Sequence, residues 1–126
     1  MRENKIVTFL IVVVFCCFNC FHIEAEEEIN MRHIGHHGDH NEYYPPADMP
    51  EVYFDTDLQE IIIYADGYAD YYDVDIISLS TMTAIISTQV DGYGDSIDVS
   101  LLPDDDYKIV ITSSNNNVYE GQFTNH

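Results

Sequence analysis

Four histidines fall within eight residues: His33, His36, His37 and His40, with Asp39 among them. Imidazole nitrogens ligate Zn, Ni and Cu ions, and a short histidine-rich tract is a compositional signal for such metals. A helix would bring several of these rings to one face. Gly35 and Gly38 oppose a helix there, so a metal site would assemble only on binding, at a cost in affinity. The same rings in an acidic chain could charge below neutral pH and act as a switch. The plainer expectation is a solvated segment that binds nothing. Carboxylates form a second candidate. Asp66, Asp70, Asp73 and Asp75 crowd one stretch, Asp91 and Asp95 flank another, and Asp104 to Asp106 form a third. Calcium takes oxygen ligands, but the spacing does not match an EF-hand loop, and a chain so rich in acid makes clusters by chance. Tyrosines are the third group. Tyr43-Tyr44 precede two prolines, and Tyr68, Tyr71, Tyr72 and Tyr93 lie in or beside expected loops, where tyrosine offers rigid contact area for recognition.

Other chemistry finds little to work with. Cys16, Cys17 and Cys20 are the three cysteines, and all lie near the N-terminus. No glycine-rich phosphate loop follows a strand, and beyond residue 25 the histidines are the cluster above and the terminal His126. Paired carboxylates are too common here to indicate glycoside chemistry. A small β-sandwich leaves little room for a deep cleft. The chain is therefore read as not an enzyme.

The first segment reads as a targeting device. Arg2 and Lys5 lead an apolar stretch from Ile6 to Phe21, broken only by Thr8 and Asn19, and Ala25 offers a small residue before a cut. That order defines a secretory signal, and the apolar run is shorter than the ~20 residues of a membrane-spanning helix. Residues 1–25 are assigned to the signal, and the protein is expected in the periplasm, at the cell surface or secreted. A cysteine lipid anchor is the variant, although Phe15, Cys16 and Asn19 are not the small residues usual before a lipidated cysteine. After a cut at Ala25 the chain has no cysteine, and so no disulfide to hold it.

The formal net charge is −19, from 23 acidic and 4 basic residues. Arg2 and Lys5 cancel Glu3 and Glu24, leaving Arg32 and Lys108 as the basic residues of the remainder. Such a surface repels nucleic acid and anionic lipid and favours basic partners and divalent cations. Acid also serves solubility and keeps strand edges apart.

Residues 26–49 are polar and lack strand or helix periodicity, so they read as a flexible histidine-rich leader. From Pro50 to the end, short β-branched and aromatic runs recur between turns, which predicts an all-β sandwich. The runs are 51–54, 59–65, 72–79, 84–90, 96–101, 107–112 and 118–124. Seven is the count of a constant-type immunoglobulin sandwich with Greek-key connections. Ile61-Ile62-Ile63-Tyr64 is apolar on both faces, so it is placed centrally. Ile97, Val99 and Leu101 are expected on one face, as are Tyr107, Ile109 and Ile111, and Tyr119, Gly121 and Phe123. Tyr107 follows a Leu-Pro turn and opens an alternating strand. That is the setting of a tyrosine corner, in which the hydroxyl bonds backbone a few residues upstream.

From Pro50 to Phe123 the chain resembles a family of small exported proteins of Bacteroides-type gut bacteria, known as a domain of unknown function. The resemblance lies in LQEIIIYADG at the central strand, in SIDVSLLPDDDYKIVIT across the Leu-Pro-acidic turn and the Tyr-initiated strand, and in NNNVYEGQF at the closing strand. The sorting domains at the C-termini of some secreted bacterial proteins share a similar half. This chain carries Asp104 and Asp105 where the family usually has a glycine before the tyrosine. The resemblance implies an immunoglobulin-like fold and export, and no catalytic residues. The expected role is an exported binding module with a protein or cell-surface partner. Metal binding through the histidine leader and inhibition of an exported protease are the alternatives.

Overall fold

The computed structural model describes residues 26–36 and 46–126. The expected signal segment, its three cysteines, His37, His40, Tyr43 and Tyr44 lie outside these residues. Among the described residues nine strands follow in order: β1 (Glu26–Ile29), β2 (Arg32–His36), β3 (Glu51–Asp55), β4 (Glu60–Tyr64), β5 (Tyr71–Ser78), β6 (Ala84–Asp91), β7 (Gly94–Asp98), β8 (Asp105–Ser113) and β9 (Asn117–Asn125). Every pairing is antiparallel. One sheet has the order β1-β3-β4-β7, the other β2-β9-β8-β5-β6.

Each of the seven runs with alternating or β-rich sequence is a strand. Their inward residues meet in one core: Val52 and Phe54, Ile61 and Ile63, and Ile97 from the first sheet, against Tyr72, Val74, Ile76, Ile109, Ile111 and Phe123 from the second. Period-2 patterning works because alternate side chains leave opposite faces of a strand. β4 is interior to its sheet, but Ile62 is only half-buried and Tyr64 is exposed, since an antiparallel sheet can keep one face in water. Leu101 departs from expectation. It is 96 % exposed, while Val99 and Leu102 are buried. β7 ends at Asp98, and the Leu102 amide bonds the Val99 carbonyl at 3.1 Å, so a turn replaces the alternation.

Two features differ from the seven-strand reading. β6 pairs with β5 in the second sheet rather than joining the first, so the arrangement is not the constant-type division. The chain expected as leader also contributes structure, since β1 pairs with β3 and β2 with β9. Among the described residues the sandwich thus includes 26–36 as well as the chain from Pro50. Between the two strands, Asn30-Met31 crosses from one sheet to the other beside Gly121. A Cβ on Gly121 would sit 2.7 Å from both Ile29 Cγ2 and Met31 Sδ. The absence of a side chain there is what lets the crossing lie so close to β9.

The connection from β7 to β8 also changes sheets. Fully buried Tyr107 donates its hydroxyl to the Pro103 carbonyl at 2.5 Å, and its ring stacks on Phe123 with centroids 5.3 Å apart. Burial, then Asp105 and Asp104, raises the phenol pKa above its ordinary value, which preserves the donor. No residue between Pro103 and Tyr107 has positive φ, so Asp104 and Asp105 fit this turn without strain. Asp105 accepts Ser78 Oγ and Ser80 Oγ at 2.6 Å, and the Leu79 amide bonds the Asp106 carbonyl, which ties the β5–β6 turn to this corner. Replacing Tyr107 with Phe should cost about 1 kcal/mol, the net contribution of the hydrogen bond that its buried hydroxyl makes. Urea unfolding would read it as a lower midpoint at unchanged m-value.

Candidate functional site

The residues singled out for chemistry go to different places. His33 lies on β2, its ring tilted against Tyr119 with centroids 5.4 Å apart. The His36 backbone pairs with Asn117 at the end of β2. His37 and His40 lie outside the described residues, so the four histidines are not seen together. Among the described residues no three of His, Cys, Asp and Glu converge as metal ligands.

The aspartates instead accept hydrogen bonds from nearby donors. Asp55 Oδ1 takes the amides of Asp57 and Leu58, Asp91 Oδ1 that of Tyr93, and Asp98 Oδ1 that of Ser100. Across strands, Ser87 donates to Asp75 at 2.6 Å, Gln89 to Asp73 at 3.1 Å, and Thr124 to Asp106 at 2.6 Å. Short polar side chains bonding backbone two residues on are what shape such turns. A groove of about 610 Å³ opens at the tyrosine-corner end, with Ile29, Phe54 and Phe123 below Glu27 and Glu28.

The opposite end holds the most organised loops. Asp48, only 4 % exposed, lies just before β3. Its carboxylate accepts the Tyr119 hydroxyl, Asn115 Nδ2 at 3.0 Å and Asn117 Nδ2 at 3.1 Å. Its carbonyl accepts the Tyr72 hydroxyl at 2.7 Å. Burial alone would raise the Asp48 pKa. Hydrogen bonds from Ser113, Tyr119, Asn115 and Asn117 outweigh it and hold the carboxyl below its ordinary 3.8. Burial first, then the charges of Asp48 and Asp66, push the Tyr72 phenol up to about 12, so it stays a donor.

From this anchor the loops are stitched together. Asn115 also donates to the Tyr68 carbonyl, the Asp70 amide to Ser114 Oγ, and the Ser114 amide to the Tyr71 carbonyl. The Ala65 and Gly67 amides bond the carbonyls of Tyr93 and Gly92, and the Gly92 amide bonds that of Asp70. Gly67 has φ +80°, and the Tyr93 ring lies 2.8 Å from where its Cβ would be. Only glycine both takes that backbone conformation freely and leaves room for the ring. The result is a platform built from 65–70, 91–95 and 113–117. It presents Tyr68, 64 % exposed, and Tyr93, 74 % exposed, among Asp66, Asp70, Asp91 and Asp95. Tyr72, grouped with these tyrosines in sequence, is buried and belongs to the anchor. Asp48 carries no local signal, because its partners are 24 to 71 residues away.

Asp48→Ala should be strongly destabilising, by about 3 kcal/mol or more, since it leaves several buried donors unpaired. Because the folded pKa is lowered, the carboxylate's contribution is complete above 3.8 and is lost as pH falls through the folded value. Denaturation followed between pH 6 and pH 2 should therefore show a shallower acid decline for Asp48→Asn than for the unchanged protein.

No family model matches the chain, and no curated protein does. Among solved structures it is similar to a DUF3244 family protein from Bacteroides vulgatus with an immunoglobulin-like β-sandwich fold. The TM-score is 0.61 at 13 % identity, over 80 % of this chain and 99 % of that one. That protein is described by its fold, with no activity attached. Fold is what a likeness at this identity carries, and with two antiparallel sheets around one core the chain is an immunoglobulin-like β-sandwich.

Proposed function

We propose that the protein is an exported, non-catalytic binding module whose loop platform recognises a basic polypeptide. The observation that carries this reading is the platform itself. Tyr68 and Tyr93 are large and exposed, and their backbones are held by hydrogen bonds from Asn115 Nδ2 and from the Ala65 amide, so little loop-ordering cost remains on binding. Exposed tyrosine faces attract cations, and the adjacent carboxylates add to that attraction. The net charge of −19 steers such a partner toward the molecule and speeds encounter. Export rests on the order of Arg2 and Lys5, the apolar stretch and Ala25. All nine described strands lie after Ala25, so cleavage there leaves each of them intact.

N-terminal sequencing of the exported product should begin at Glu26. A start at any residue beyond Ile29 would remove β1 and count against the assignment. For recognition, a lysine- and arginine-rich peptide titrated into isotope-labelled protein should shift the resonances of 66–70 and 91–95. The double variant Tyr68→Ser/Tyr93→Ser should weaken binding roughly tenfold, as loss of aromatic anchors does, with unchanged thermal stability. Equal affinity in variant and parent would remove the platform from consideration.

A further inference from the structure

Among the described residues, four strands have an outer edge: β1 and β7 in one sheet, β2 and β6 in the other. A free edge presents unpaired amide and carbonyl groups, and native edges are guarded by charge, shortness or bulges. Three of these edges are guarded. β1 exposes Glu26, Glu27 and Glu28. β7 is five residues long and carries Asp95 and Asp98. β2 is bulged between His33 and Gly35, and Arg32 is ion-paired with Glu120. β6 differs. It is bulged only at its start, where Ile85 is the extra residue opposite Ile76 and Ile77, and from Ile86 it pairs regularly with β5, without proline and without a charge before Asp91. In a chain of net charge −19, no charged residue occurs from Ile76 to Val90. Ser87, Thr88 and Gln89 are exposed, as is Ile85 at 44 %.

The acid lies one strand further in. On β5, Asp75 faces Ser87 and Asp73 faces Gln89, and the next pair on that face is Tyr71 with Asp91. The carboxylates of Asp75 and Asp73 on β5, continued by that of Asp91 at the end of β6, therefore line this face as a row with a two-residue repeat, about 7 Å per step along the strands. Asp73 and Asp91 are exposed and Asp75 is half-buried.

We propose that β6 receives an extended segment of a cationic polypeptide as an added strand, with Lys or Arg at alternate positions facing this row. The proposal rests on the reading above that the partner is basic, and it says how that partner is held. An added strand would lie about 4.8 Å from β6 and about 10 Å from β5, within reach of a lysine or arginine side chain. Main-chain hydrogen bonds supply affinity, and the alternating side chains supply selection. A second copy of this chain fits poorly. Its own β6 brings no cation to the row, and two molecules of charge −19 repel. β6 runs directly into the turn that carries Tyr93, so a segment on this edge would continue onto the platform.

The test uses two fluorescent peptides of one composition, with lysine and threonine either strictly alternating or with the lysines in one block. Anisotropy should show the alternating peptide binding the purified protein at least tenfold more tightly. Gln89→Lys, which places a cation on the edge, and Asp73→Asn/Asp75→Asn, which neutralises the row, should each weaken it roughly tenfold, with melting temperature unchanged. Equal binding of the two peptides, or silence of both variants, overturns the inference. So does a dimer in sedimentation that Gln89→Lys dissociates. If binding responds only to Tyr68→Ser/Tyr93→Ser, strand addition falls and the platform reading stands. If neither peptide binds, both fall.

Discussion

A single buried carboxylate organises one whole end of the molecule. Asp48 is out of contact with bulk water, and a charge in that position survives only with its lone pairs filled. Tyr119, Asn115 and Asn117 fill them, and Tyr72 holds the adjacent carbonyl. These donors come from β5, from β9 and from the β8–β9 turn. Satisfying the carboxylate thus fixes where the chain enters β3, the conformation of the β8–β9 turn, and through Asn115 the position of the Tyr68 loop. The platform inherits its rigidity from that network.

The same economy governs the rest of the acid. With only Arg32 and Lys108 as strong cations among the described residues, few carboxylates can be neutralised by pairing. They accept from hydroxyls, side-chain amides and backbone amides instead, as at Asp55, Asp75, Asp91 and Asp105. These bonds define turns and link neighbouring strands while leaving the molecule strongly anionic. Acid also guards the edges of β1 and β7. Its absence along β6 is therefore a departure from the pattern of the chain, set beside a platform whose tyrosines face outward.

The two ends of the sandwich are closed by different means. At one, Tyr107 bonds Pro103 and stacks on Phe123, which in turn meets Phe54 of the opposite sheet at 5.2 Å. That end is pinned mainly by buried aromatic surface. At the other, polar groups converge on Asp48. An end closed by directional hydrogen bonds can hold specific loop shapes, whereas apolar packing mainly fixes the distance between layers. This is the physical reason the proposed recognition surface is placed at the Asp48 end.

Sequence alone determined the strands from Glu51 onward, the inward residues of β8 and β9, the turn glycines and the anionic character, because each is written in neighbouring residues with period 2. The setting of Tyr107 was legible for the same reason: its corner closes over four residues. Tertiary structure alone decided the rest. β1 and β2 have no alternating pattern, being short edge strands whose partners, β3 and β9, lie about 25 and 85 residues further on. Leu101 turned outward because the chain bends after Asp98. The side on which β6 pairs was likewise not encoded in its own composition. Tyr68 and Tyr93 were legible as loop tyrosines, but Asp48 looked like an isolated polar residue until folding brought distant loops together, since a hydrogen-bond network across 70 residues leaves no trace in any local window.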